Sequence, residues 1–183
     1  DQALPSVTVS HDTLVVSRGS DIQISVDAGQ SWSSSLVGTD HESTVCLMML
    51  DGRVFAGTDN GVYYTSDLGA MWQRASGLIN GSYGDIAADG ERIVVGGIGI
   101  DRGGLFHTSD QGTTWAPASD TSPKYSVHDL TKHDGLWFAN LVLSDSNTGT
   151  SQGETRSSDG AVTWDQVYFY PWEGLLSKAT YLF

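Results

Sequence analysis

The chain has 183 residues, a length that fits one domain with a sizeable hydrophobic core. Its 22 glycines and a charged fraction of only 17% indicate many tight turns rather than long exposed helices, which favours an all-β fold. The formal net charge of -13 argues against nucleic acid and anionic membranes as partners, because such a surface repels phosphate groups. Cys46 is the only cysteine, which excludes a disulfide within one chain.

The sequence contains no apolar run of the roughly 18 residues that a membrane-spanning helix requires, so we expect no membrane insertion. It begins at Asp1 rather than at a methionine, which fits either a mature product after signal-peptide removal or a piece of a longer protein. The first alternative favours an extracellular or periplasmic location.

Short apolar runs joined by tight turns recur along the chain. They appear in "HDTLVVSRG" from His11, "LDGRVFAGT" from Leu50, "ADGERIVVGG" from Ala88 and "HDGLWFANL" from His133. Asp-Gly between apolar runs is a strong hairpin signal, because glycine readily takes the positive φ that such turns need. The runs on either side of each turn therefore predict strands A and B of a repeated sheet.

The run after each hairpin, such as "GVYYTSD" or "GLFHTSD", alternates apolar and polar residues and predicts a half-buried strand C. Each unit then contains one octapeptide that we call box 1 to box 4: "SVDAGQSW" (25–32), "TSDLGAMW" (65–72), "TSDQGTTW" (108–115) and "SSDGAVTW" (157–164). Each box predicts the turn from strand C to strand D. The period of roughly 40 to 50 residues is typical of propellers and solenoids.

Two residue types in the boxes have predicted structural roles. The aspartates are expected to accept hydrogen bonds from backbone N–H groups of their own turn, and the tryptophans to bury their rings at the start of strand D while the indole N–H finds a carbonyl. These residues are Asp27, Trp32, Asp67, Trp72, Asp110, Trp115, Asp159 and Trp164. Box 2 has Met71 before its tryptophan and box 4 has Gly160 directly after its aspartate, so altered turns are expected in both.

The pattern Ser/Thr-x-Asp-x-Gly-x-Thr/Ser-Trp resembles the Asp-box, or bacterial neuraminidase repeat, of sialidases, xyloglucan-degrading endoglucanases, sortilin-type receptors and photosystem assembly factors. The resemblance covers about residues 5 to 168. It implies an all-β propeller, or part of one, with about four four-stranded blades at 5–36, 43–77, 83–118 and 125–168. Residues 169–183 are expected to begin a further blade or to supply a closing strand.

Four blades are fewer than sialidases have. The chain is therefore a piece of a larger propeller, a small closed propeller, or an arc that a second copy completes. Because exposed sheet edges attract other strands, we expect an open arc to self-associate.

Antiparallel strands place the A–B turns and the boxes on one rim, and the B–C loops and D–A crossings on the other, which we call the variable rim. Its B–C loops lengthen along the chain, and long loops on a rigid scaffold commonly carry function. The predicted ligand-binding residues of this rim are Asp101, Arg102, Asp145, Asn147, Glu154, Arg156, Tyr125 and Trp172; Tyr83 is also expected there. Aromatic faces beside carboxylates and amides suit sugars, although ordinary surface packing is the alternative. Trp137 is expected in the core.

The resemblance to sialidases implies three arginines that bind the substrate carboxylate, a tyrosine–glutamate nucleophile pair and an aspartate acid/base. Of the six arginines, only Arg102 and Arg156 are expected on the variable rim, while Arg74 directly follows box 2. No three-arginine cluster can be assigned, and the negative charge disfavours an anionic sugar. A neutral-glycan hydrolase would need two carboxylates about 5 to 10 Å apart, and no motif singles out such a pair.

We expect no cofactor and no metal. Calcium is the alternative, because Asp145-x-Asn147-x-Gly149 is similar to a calcium loop but lacks the glutamate that normally completes one. The sequence thus predicts a non-catalytic module that recognises glycan or protein through the variable rim. The alternatives are a glycoside hydrolase fragment, either sialidase-like or acting on a neutral glycan, and a structural or assembly scaffold.

Overall fold

A computed structural model describes residues 6–38, 42–90, 92–99, 103–118, 125–145, 149–165 and 168–170. These residues form four antiparallel four-stranded sheets, or blades, in each of which the strands lie in chain order. The prediction of an all-β fold made of four-stranded propeller blades is confirmed. No helix in the described part of the chain could cross a membrane.

The blades follow one another along the chain. Blade 1 contains β1 (Ser6–Ser10), β2 (Thr13–Arg18), β3 (Asp21–Ser25) and β4 (Ser33–Leu36). Blade 2 contains β5 (Thr44–Leu50), β6 (Arg53–Thr58), β7 (Gly61–Thr65) and β8 (Gln73–Arg74). Blade 3 contains β9 (Ser82–Asp89), β10 (Arg92–Ile98), β11 (Gly104–Thr108) and β12 (Ala116–Pro117). Blade 4 contains β13 (Tyr125–His133), β14 (Leu136–Asp145), β15 (Gly149–Ser157) and β16 (Tyr168–Tyr170).

The hydrophobic core is divided into three layers, one between each pair of consecutive blades. Phe55 of blade 2 packs with Ile93 of blade 3, and Val94 of blade 3 packs with Trp137 of blade 4. Trp137 is 1% exposed, which confirms its predicted place in the core. Each blade is therefore stabilised mainly by apolar area that it buries against its neighbours.

Hydrogen bonds between first strands add to this packing. Ser6 Oγ accepts the Leu47 N–H at 3.1 Å, which joins blade 1 to blade 2. The Cys46 thiol donates to Tyr83 O at 3.6 Å between blades 2 and 3. Burial raises the pKa of Cys46 to about 12, so this thiol is an inert packing group.

All four boxes share one hydrogen-bond pattern. The aspartate accepts the backbone N–H four residues later, at 2.8 Å from Ser31, 2.9 Å from Met71, 2.9 Å from Thr114 and 2.9 Å from Thr163. It also accepts the hydroxyl two residues earlier, at 2.6 to 2.8 Å. The carboxylate thus satisfies donors that the turn would otherwise leave unpaired.

The expectation of altered turns in box 2 and box 4 is wrong. The two residues after the aspartate have positive φ in every box, including Gly160 at 78° and Ala161 at 67°. Box 4 keeps the same backbone by forcing an alanine into the left-handed region. Box 2 differs instead in its hydrogen bonds, since Met71 has no hydroxyl to donate to Asp67.

The tryptophan rings of boxes 3 and 4 are more deeply buried than those of boxes 1 and 2. Trp115 and Trp164 are each 5% exposed and pack in the layers shared with the preceding blades. Trp72 is half-buried against blade 1, and its indole donates to Ser35 Oγ at 2.9 Å. Trp32 is 45% exposed, so its predicted burial is wrong. The reason is that no blade precedes blade 1 in the described part of the chain.

We predict that Asp110→Ala lowers the free energy of unfolding by roughly 1 to 3 kcal/mol, because the N–H groups of Thr113 and Thr114 lose their acceptor. Denaturant unfolding followed by tryptophan fluorescence measures this. Ser109→Ala, which changes the adjacent exposed residue, is the matched control and should leave the midpoint unchanged. An equal midpoint for Asp110→Ala and the wild type would contradict the stabilising role of the carboxylate.

Stability should also fall in acid. Hydrogen bonds from Ser31 lower the pKa of Asp27 from an ordinary 3.8 to about 2. Desolvation raises the pKa of Asp110, but the hydrogen bonds from Thr114 and Thr108 together outweigh it and lower that pKa to about 2. A depressed folded pKa gives stability that is present above the unfolded pKa and is lost as pH falls through the folded one. Thermal melts between about pH 4 and pH 2 should therefore show a falling midpoint, with a shallower fall in Asp110→Ala. Parallel profiles for the two proteins would contradict this assignment.

Candidate functional site

The variable rim of blade 2 is held by a short, bonded turn. Asp59 and Asn60 form the turn between β6 and β7. The Asp59 N–H donates to Ser43 O at 3.0 Å, and the Ser43 N–H donates to Asp59 Oδ1 at 3.1 Å. The B–C turn is thus fixed to the residue just before β5, which gives this rim a rigid base.

Arg74 reaches this turn from the last strand of the blade. Its Nη2 donates to Asn60 O at 2.9 Å and to Asn80 Oδ1 at 2.6 Å. Its place directly after box 2 suggested the opposite rim, but the side chain extends to the B–C turn. Gly61 makes the approach possible, since a Cβ there would lie 3.0 Å from the guanidinium.

A buried tyrosine–glutamate pair lies beside Arg74. Tyr63 is the cross-strand partner of Arg74, and its hydroxyl donates to Glu42 Oε1 at 2.9 Å. Both side chains are 6% exposed. A Cβ at Gly38 would overlap the Glu42 carboxylate, so glycine is needed there to leave room for it.

The charges of Glu42 and Arg74 shift the pKa values of the neighbouring tyrosines in opposite directions. Burial and the Glu42 carboxylate raise the pKa of Tyr63, while the Arg74 guanidinium lowers it. Burial likewise raises the pKa of Tyr83, which the charge of Arg74 partly opposes. We call Glu42, Asn60, Tyr63, Arg74 and Asn80 the Arg74 cluster. Its exposed part is a guanidinium held in place by two acceptors and flanked by an asparagine side chain, an arrangement suited to ligand hydroxyl or carboxylate oxygens.

Several residues predicted for the site lie outside the described residues: Asp101, Arg102, Asn147 and Trp172. Their ligand-binding role stays a prediction. Tyr83, also expected on the variable rim, is instead fully buried between blades 2 and 3, with its hydroxyl donating to Ile79 O at 2.8 Å.

The long B–C loop expected in blade 4 is instead mostly strand. Residues Leu136–Asp145 and Gly149–Ser157 pair throughout, with Asp145 opposite Gly149. Glu154 and Arg156 therefore lie in β15 rather than in a loop, and Arg156 forms an ion pair with Asp165 at 2.7 Å. The additional residues of blade 4, which were expected to lengthen its B–C loop, instead lengthen the two strands of this hairpin.

Tyr125 begins β13 opposite Leu143 and is half-buried against the layer between blades 3 and 4. Much of the Tyr125 ring is therefore used for packing against this layer rather than being available to a ligand. Among the described residues no group of three or more His, Cys, Asp or Glu side chains could hold a metal ion. The calcium alternative involves Asn147, which lies outside them.

The Arg74 cluster was missed in the sequence. Arg74 and Tyr63 could have been paired from the hairpin register, because box 2 fixes which residues of β7 and β8 face each other. Nothing in the sequence indicates that Glu42, 21 residues before Tyr63, returns to contact it.

Comparison with known proteins identifies the fold. No protein-family model and no curated protein sequence matches the chain. Similar solved structures include the computationally designed Ika4 protein, with a TM-score of 0.57 and 14% identity over 83% of this chain and 91% of that one. A protein of unknown function from Dyadobacter fermentans has a TM-score of 0.62 and 16% identity over 92% and 68%.

The GH74 xyloglucanase from Xanthomonas campestris has a TM-score of 0.57 and 14% identity over 88% of this chain. The chain spans 37% of that enzyme. At these identities the likeness concerns the fold alone, and it agrees with a chain made of propeller blades.

Proposed function

We propose that the chain is a non-catalytic, glycan-recognising part of an Asp-box β-propeller and that it binds sugar through the Arg74 cluster on the variable rim. The observation that carries this proposal is the fixed, exposed guanidinium of Arg74 between Asn60 O and Asn80 Oδ1. An arginine held by two acceptors loses little side-chain freedom when a ligand binds.

The buried pair behind Arg74 supports recognition rather than catalysis. A tyrosine nucleophile must reach the substrate and lose its proton. The Tyr63 ring is 6% exposed, its hydroxyl donates into Glu42, and its raised pKa opposes the phenolate. The Tyr63–Glu42 pair instead forms a buried polar surface beside Arg74.

The four boxes support the Asp-box assignment. Each has the same aspartate bonds to the hydroxyl two residues before it and the N–H four residues after it, and each has two left-handed residues between them. The net charge of -13 favours a neutral sugar over an anionic one. Because one structural neighbour is a xyloglucanase, neutral plant glucans are the first ligands to test.

A sialidase-like glycoside hydrolase is the second candidate. It is favoured by the Tyr63–Glu42 hydrogen bond with Arg74 beside it, since the resemblance to sialidases implies a tyrosine–glutamate pair near arginines. The two candidates differ in what Tyr63→Phe does. Loss of hydroxyl should abolish hydrolysis by an enzyme but should leave most of the sugar binding of a recognition module.

We predict that the chain retains one class of neutral glycan on an array and that Arg74→Ala weakens this binding at least about tenfold, through loss of a charge-assisted hydrogen bond. Arg53→Ala is the matched control. Arg53 bonds Gln111 O on the box rim, so its loss should not change glycan affinity. Titration calorimetry with the retained glycan measures both variants.

Two results would contradict the proposal. Equal weakening by Arg74→Ala and Arg53→Ala would show that the effect is not specific to the Arg74 cluster. Release of reducing sugar or sialic acid by the wild type, lost in Tyr63→Phe, would establish the hydrolase.

A further inference from the structure

One face of blade 1 is exposed and apolar. Val7 and Val9 of β1 are 60% and 59% exposed, and Trp32 of box 1 is 45% exposed. Leu36 is 53% exposed and lies on the same face, because Ser35 beside it bonds Gly69 of blade 2. In the part of the chain that the structure describes, this face has no neighbouring blade.

The equivalent residues of the later blades are buried against the blade before them. Register places Val9 opposite Leu14 as Met49 lies opposite Val54, and Val7 is then equivalent to Leu47. Leu47 is 8% exposed, and Met49 packs in the layer shared with blade 1. The blade 1 face therefore has the composition of a face that binds a preceding blade.

The free backbone edge of β1 also has N–H groups at the positions where the first strands of later blades donate to the preceding blade. The N–H groups of Leu47 and Leu130 donate to the preceding blade, at 3.1 Å to Ser6 Oγ and 2.6 Å to Asp85 Oδ2. Met49 N–H donates to Thr8 Oγ1 at 3.0 Å. Val7 and Val9 occupy these positions in β1, and antiparallel pairing with β2 directs their N–H groups away from that strand.

Blade 4 has the matching acceptors on the face that points away from blade 3. Asp129 lies opposite Asn140 as Asp85 lies opposite Gly96, so the two aspartates are equivalent. Thr131 lies opposite Phe138 as Thr8 lies opposite Val15. Both Asp129 and Thr131 are exposed.

Phe138 completes this face. Its equivalents Val15, Phe55 and Val94 are each 0% exposed beneath the following blade, whereas Phe138 is only half-buried. In blade 2 the following box lies so close to Phe55 that a Cβ at Gly112 would overlap the ring. Box 1 of a second copy of the chain would contact Phe138 in the way that box 3 contacts Phe55.

We propose that blade 1 of one copy docks on blade 4 of a second copy of this chain. Asp129 accepts the Val7 N–H of the other copy, Thr131 accepts its Val9 N–H, and Trp32 and Leu36 cover Phe138. The occupant is a second copy because one chain carries both complementary faces and because the contact continues three interfaces that already exist between its blades. The contact is head-to-tail, and two copies joined by two such contacts form a closed ring.

Sedimentation velocity of the full chain across a wide concentration range tests this. We expect the wild type to reach twice the 19.6 kDa mass of the chain. Val9→Asp and Asp129→Lys should each weaken the dimer at least about a hundredfold, because each places an unpaired charge in a desolvated contact. Met71→Asp, at a residue 67% exposed on blade 2, is the control and should leave the dimer intact.

Mixing the Val9→Asp and Asp129→Lys variants tests whether the contact is head-to-tail. One head-to-tail contact remains intact between a Val9→Asp copy and an Asp129→Lys copy, so the mixture should form a dimer that neither variant forms alone. Circular dichroism checks that each variant is folded. A wild type that stays monomeric at every concentration would overturn the proposal, and so would a dimer that survives both variants.

Discussion

The bond between each box aspartate and the N–H four residues later determines much else in this molecule. The tryptophan directly follows that N–H, so the carboxylate sets the direction in which the indole leaves the turn. In blades 3 and 4 this direction takes Trp115 and Trp164 into the preceding blade, where each is 5% exposed. A local turn motif thus becomes a long-range packing contact.

The same bond explains how the blades depend on one another. A blade of short strands buries little apolar surface by itself, and its tryptophan finds a dry environment only beside another blade. Where a blade precedes it the ring is half-buried, as in Trp72, or buried, as in Trp115 and Trp164, and where none is described the ring of Trp32 is 45% exposed. The exposed end faces of blades 1 and 4 are a direct consequence, and the proposed ring of two copies satisfies both.

A ligand-binding site is expected on the variable rim, because the boxes and the A–B hairpins occupy the other rim and stabilise the blades there. Arg74 belongs to a strand that box 2 positions, yet its guanidinium is held by the B–C turn and by Asn80. The scaffold therefore fixes an exposed guanidinium at the variable rim.

The sequence was sufficient for features that depend on local chemistry. Hairpin turns, strand alternation and the box pattern predict four blades, and the place of Trp137 follows from its position in strand B. The features that it did not predict depend on contacts between distant residues. Trp32 is exposed because no described blade lies before blade 1, and Glu42 meets Tyr63 only after a blade crossing. Box composition could not reveal these outcomes, since each is determined by neighbours in space.

In the proposed dimer, blade 1 of one copy covers blade 4 of the other as consecutive blades cover one another within the chain. Amide hydrogen exchange at Val7 and Val9, followed by NMR at low and high protein concentration, tests it most directly. We expect slow exchange of both amides at high concentration and faster exchange on dilution, because both N–H groups then donate hydrogen bonds to Asp129 and Thr131 of the second copy. Fast exchange of both amides at every concentration would contradict it.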